Sequence, residues 1–198
     1  MAIEECRKAG FRKILLRGDT DFSLTENFDR WDDDNVQFVF GFDANKKLTG
    51  IADSLKENAW TPLRRDKPSS DKPRARRPNY KEQFVEQKGY ENQKLRAESY
   101  AEFEYRPTKC KRTYRMIAVR KEIDVMSGQQ LLFEKERYFF YITNESESEQ
   151  PSRQIIRHGN RRCNQENTIS QLKACHALAA PLDNLESNGA YMMFASLA

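Results

Sequence analysis

"FRKILLRGD", residues 11–19, decides the fold. Ile14-Leu15-Leu16 is continuous rather than alternating, the pattern of a strand buried on both faces. The run ends at Gly18-Asp19, and a second acid, Asp21, follows two residues on. Upstream, "MAIEECRKAG" reads as a helix closed by Gly10. Downstream, residues 23–35 read as a short helical or turn segment. "VQFVFGFDA", residues 36–44, is a second strand rich in β-formers. In "ANKKLTGIADSLKENAW", Leu48, Ile51, Ala52 and Leu55 fall at i, i+3, i+4 and i+7, a helical period. Helix–strand–helix–strand–helix predicts an α/β layer.

The character changes after Trp60. Residues 64–81, "RRDKPSSDKPRARRPNYK", hold eight basic residues, two acids and three prolines without apolar periodicity, an extended solvated loop. "KEQFVEQKGYENQK" reads as a short helix stopped at Gly89. From Ala101 to Thr143 the pattern is β, with a turn at Ser127-Gly128, and predicts a meander inserted into the α/β layer. An acidic loop, "ESESEQPS", leads to helices. "NRRCNQENTISQLKACHALAA" reads as one long helix with Asn160 as N-cap and Pro181 as its end. The last segment reads as a helix interrupted near Gly189. Both ends look cut, since the first residues are already helical and "GAYMMFASLA" is an apolar finish.

Composition narrows the class. The 198 residues are 38% hydrophobic, 32% charged and 11% aromatic, with net charge +4. Mean hydropathy is −0.90 and the pI about 8.8. The aromatic content argues against wholesale disorder, and the mild basic excess does not by itself identify a polyanion ligand. Cys6, Cys110, Cys163 and Cys175 form no C-x-x-C pair, and the two histidines, His158 and His176, complete no zinc spacing. Reduced thiols in a cytosolic protein are expected. No secretory signal is visible, and no apolar run approaches the ~20 residues of a membrane span.

Two features carry chemistry. Arg162, Glu166 and Lys173 sit at i, i+4 and i+11, on one helix face. As a solvated stripe, an Arg–Glu pair at this spacing is worth only ~0.3–0.5 kcal/mol. Open α/β sheets place ligands outside the carboxyl ends of their strands, which is where Asp19 stands if "KILLRG" is a central strand, although an Asp in a strand-end turn is common. Together they suit phosphodiester cleavage by two Mg²⁺ ions, which needs carboxylates brought to one point from different elements. Arg and Lys beside them hold phosphates.

The stretches "LLRGDTDFS", "FDRWDDDNVQFVFGFDA", "AEFEYRPTKCKRTYRMIAVRK", "RYFFYITN" and "RCNQENTISQLK" resemble the DDE transposases of the IS1380 family, the transposase DDE domain group 1. The resemblance implies a ribonuclease H-like core, incomplete at the N-terminus, with an inserted β-rich subdomain and C-terminal helices. It implies core residues 1–60, the basic loop and insertion at 61–145, and core helices at 146–198. It makes Asp19 the second catalytic Asp and Glu166 the third acid, both ligands of Mg²⁺. Arg162 and Lys173 fit the motif Tyr-x2-Arg-x3-Glu-x6-Lys, whose Tyr position falls on Gly159. Asp21 becomes a turn residue.

The first triad Asp is expected on a strand before Met1, which makes this chain a C-terminal fragment impaired in catalysis. The implied partners are transposon-end DNA and a homodimer or a full-length transposase, with no membrane, in the bacterial cytoplasm at the nucleoid. Arg74, Arg76 and Arg77 of the basic loop are candidate DNA contacts. A non-catalytic DNA-binding or dimerising remnant is the alternative. Trp31 and Trp60 are read as packing residues first, with base stacking the less favoured role.

Overall fold

The computed structural model describes residues 2–64, 79–160, 163–174 and 181–197. The elements are α1 (Ala2–Lys8), β1 (Leu15–Gly18), α2 (Phe28–Asp33), β2 (Gln37–Phe42), α3 (Lys46–Ser54), β3 (Thr61–Pro62), α4 (Tyr80–Gln87), β4 (Glu91–Tyr105), β5 (Tyr114–Ser127), β6 (Gln130–Thr143), α5 (Ser152–Asn160), α6 (Cys163–Ala174) and α7 (Leu185–Leu197). Six strands make one mixed sheet in the order β1-β2-β6-β5-β4-β3. Only β1 and β2 run parallel, and the rest pair antiparallel. The meander β4–β5–β6 is therefore hydrogen-bonded onto β2 through the last residues of β6, Phe140–Thr143.

Two apolar layers cover the base of this sheet. On one face Phe28, Phe38, Phe40, Leu48, Met116 and Ile142 form a closed aromatic-aliphatic cluster under α2 and α3. Phe28 stacks on Phe38 at 4.5 Å and meets Tyr114 edge-on at 5.7 Å. On the other face Val39, Ile117 and Val119 pack against Ile155 and Ile156 of α5. Asn45 caps α3 by accepting from the Leu48 amide at 3.0 Å, and Leu48 and Ala52 are buried as the helical period predicts. Asn144 extends the ladder beyond β6. Its Oδ1 accepts from the Phe38 amide, and its Nδ2 donates to Asp32 Oδ1 and the Val36 carbonyl.

Several expectations need correction. β1 is shorter than the apolar run suggests, and Leu15 and Leu16 are half-buried, because β1 is the edge of the sheet with β2 on one side only. β4 begins at Glu91, well before Ala101. "ENQKLRAES" has weak strand propensity, but pairing along β5 from Glu91–Ser127 to Tyr105–Tyr114 overrides it. Asn160 ends α5 rather than capping the next helix. Gly189 lies inside α7, where a lone glycine costs about 1 kcal/mol without ending the helix. The remainder of the long helix predicted to reach Ala180, and the basic loop from Arg65 to Pro78, lie outside the described residues.

The charged segment before β5 is consumed internally. Lys109 pairs with Glu26 at 2.5 Å, the Lys111 amide donates to Asp29 at 2.7 Å, and Arg112 bridges Asp32 and Asp33. Arg115 spans Glu102, the Gln150 carbonyl and Ser152 Oγ. Trp31 packs on Phe38 and Phe40. Trp60 is buried beneath the Arg120 guanidinium, 4.5 Å from its ring.

Candidate active site

A cleft of about 400 Å³ opens at the carboxyl ends of β1 and β2. Gly18, Asp19 and Thr20 form one wall, Phe42 and Asp43 the second, and Tyr138–Tyr141 with Gly159 the third. The turn after β1 is tightly folded. A Cβ on Gly18 would lie 2.6 Å from Phe22 Cβ, so only glycine lets Thr20–Phe22 fold back over the strand end. The Asp19 carbonyl accepts from the Phe22 amide at 3.2 Å, and Thr20 O accepts from the Ser23 hydroxyl at 2.6 Å. This fixes where Asp19 leaves the sheet. Asp19 is half-buried and its Oδ1 lies out of contact with solvent, whereas Asp21 is exposed on the turn.

The third wall comes from β6 as it passes the end of β2. Tyr138 is half-buried and its hydroxyl lies 3.1 Å from Glu136 Oε2. Burial first, then hydrogen bonds to Asp53 and Glu136, push its phenol well above the ordinary range, so it stays protonated. Tyr141 meets the end of α5. Its hydroxyl is 3.2 Å from Asn160 Oδ1, and a Cβ on Gly159 would stand 2.3 Å from its ring. The Tyr141 ring of β6 therefore occupies the space that any larger side chain at position 159 would need.

Of the other residues singled out from sequence, Glu166 falls within α6, but its side chain lies outside the described residues. Lys173 is exposed near the end of α6. Arg162, Arg74, Arg76 and Arg77 lie outside the described residues. Sequence reasoning did not place Tyr138 or Tyr141 in the cleft. "RYFFYITN" signals a strand, but only its register against β2 shows which rings reach the end of β1.

A mixed sheet that opens a cleft beside a carboxylate at the end of a parallel strand belongs to the α/β proteins that bind ligands at strand ends. The chain belongs to the transposase DDE domain group 1 family, whose profile matches residues 3–198. No curated protein matches it. Membership gives the chain a transposition-related function and implies a DNA substrate. The family generally uses a divalent metal. Asp19 and Asp43 offer the oxygen donors that a hard cation takes. Among the described residues no group of three or more His, Cys, Asp or Glu side chains stands together to complete such a site. Among them, too, no helix is long and apolar enough to cross a membrane.

Proposed function

We propose that this chain supplies part of the ribonuclease H-like core of an IS1380-type transposase, with residues 61–145 as its β-rich insertion and 146–198 as the core helices. The reaction is cleavage of DNA and strand transfer at transposon ends. The observation that carries this proposal is Asp19, standing at the carboxyl end of β1 in a cleft walled by aromatic rings, in a chain of this family. Asp19 and Glu166 would hold Mg²⁺, which when bound would supply an activated oxygen nucleophile for in-line attack on a phosphodiester.

The chain's own residues do the remaining work. The turn locked by Gly18 aims the Asp19 carboxylate. The rings of Tyr138 and Tyr141 exclude water from one side of the cleft. Arg162 and Lys173 hold phosphates, and Arg74, Arg76 and Arg77 extend the contact with DNA. The outer edge of β1 pairs with no strand among the described residues, which leaves room for a further core strand bearing the first Asp. On this reading these residues bind DNA at the nucleoid, and efficient cleavage needs a further carboxylate beside Asp19.

A second reading keeps the DNA and drops the chemistry: a remnant that dimerises with itself or with a full-length transposase. Its supporting observation is that the described cleft walls bring two carboxylates, Asp19 and Asp43, where a two-ion site uses several. One set of assays separates the two. The purified chain is expected to bind transposon-end DNA without nicking it. The chain extended through its upstream reading frame nicks in Mg²⁺, and Asp19→Asn or Glu166→Gln lowers that rate by about a hundredfold or more. Nicking by the 198 residues alone overturns the need for a further carboxylate. Nicking indifferent to Asp19→Asn overturns the site.

A further inference from the structure

The β6 strand is core at one end and bare at the other. From Gln130 to Arg137 every residue is exposed, because β2 pairs only with Phe140–Thr143. Register sorts its side chains by face. Phe133, Lys135, Arg137, Phe139 and Tyr141 stand opposite Val125, Ile123, Lys121, Val119 and Ile117 on one face. Glu134 and Glu136 stand opposite Asp124 and Glu122 on the other, where Arg96 engages Glu122, Asp124 and Glu134. Acid thus collects on one side of the strand and base on the other. The basic row begins at Tyr141 in the cleft and ends at Phe133, which is 53% exposed. Lys121 lies over the Phe139 ring at 4.5 Å and flanks the row.

We propose that the row Phe139–Arg137–Lys135–Phe133 is a track for one unpaired nucleic-acid strand leaving the cleft. This rests on the reading of the cleft as a DNA-cleaving site. Cations at alternate positions meet phosphates, and rings at both ends of the cation pair offer faces on which bases stack. A duplex hides its base faces and has no use for those rings. A second copy of the chain fits poorly. Two-fold antiparallel pairing keeps each residue on its own face, so registers centred on Glu134–Arg137 set Glu against Glu and Lys or Arg against their like.

Fluorescence anisotropy with labelled oligothymidylate and a duplex of equal length, titrated over a range of salt, tests this on the full chain. Lys135→Ala with Arg137→Ala is expected to reduce the single-strand slope of log affinity against log salt by about 1.4, or 0.7 per phosphate contact. The duplex slope changes less. Phe133→Ala weakens single-strand binding about tenfold and leaves the slope unchanged. Lys109→Ala with Lys111→Ala removes the same charge elsewhere and leaves single-strand binding as it was. Circular dichroism melts confirm that each variant folds.

An unchanged slope in the Lys135/Arg137 variant overturns the track, as does an equal loss on single strand and duplex. So does a self-association by sedimentation that the row variants abolish while oligonucleotide binding persists. If the row behaves as stated but the extended chain shows no Mg²⁺-dependent cleavage, the cleft reading fails and the track stands.

Discussion

Glu145 and Asp29 are carboxylates whose surroundings pull in opposite directions. Glu145 is 4% exposed and its Oε2 accepts no hydrogen bond among the described residues. Burial, then the neighbouring Glu149, raise its pKa, and Arg115 opposes them only in part. A carboxyl whose folded pKa is raised contributes fully below its unfolded value and becomes a liability as pH climbs through the folded value. Glu145→Gln is therefore expected to raise the melting temperature at neutral pH, with the gain vanishing below the ordinary glutamate range. Asp29 is held down by the Lys111 amide, with Tyr114 and Arg112 adding to it. Its contribution is present above the ordinary aspartate range and lost as pH falls through the lowered value. Asp29→Asn should thus destabilise at neutral pH and converge on the parent in acid. Melting both variants across a pH series checks the two signs together. Gly159→Ala drives a Cβ to 2.3 Å from the Tyr141 ring, and a cost of about 1–3 kcal/mol in chemical denaturation follows from overpacking. Asp19 was legible because a strand followed by Gly-Asp announces its own end. Glu145 was not, because nothing in "TNESESEQ" separates the one buried glutamate from its solvated neighbours.

At the scale of elements, the helix with the clear apolar period appeared where the sequence placed it, whereas the one predicted N-cap, Asn160, ends α5 instead. α3 has both Asn45 and the Leu48–Ala52 stripe. The strands were less legible, since pairing sets their extent. β4 draws its first residues into the sheet through β5, and the tight turn at Gly128, with φ +57, ties β5 to β6. The cleft was partly legible for the same reason. Two walls come from the first 43 residues, and the third depends on β6 arriving about a hundred residues later beside β2. Amide hydrogen exchange gives the expected outcome for β6. Amides of Phe140, Ile142 and Thr143, flanked by strands on both sides, exchange slowest. The bare-edge half of Gln130–Phe139 exchanges faster by orders of magnitude. Uniform protection along β6 would show that something else covers that edge.

For the molecule as a whole, the principal core takes residues from both sides of the proposed boundary at residue 60. Phe28, Phe38 and Leu48 pack with Met116, Phe140 and Ile142. The expected consequence is one cooperative unfolding transition, coincident by tryptophan fluorescence and far-ultraviolet dichroism. Two separated transitions would show that 1–60 and 61–145 fold apart. Net charge gave little warning of the basic row, because +4 over 198 residues averages a strand whose two faces carry opposite signs.

β6 is anchored like a cantilever. Its root is clamped between β2 and β5, and its outer length, paired with β5 alone, projects past the end of β2. The clamp starts at Phe140, and its first two residues, Phe140 and Tyr141, belong to the third wall of the cleft. A load on the projecting length produces its largest bending moment at that root. A load on the outer arm is therefore expected to reach the Phe140 and Tyr141 rings of the cleft wall first, so that binding far from the cleft and the shape of the cleft vary together.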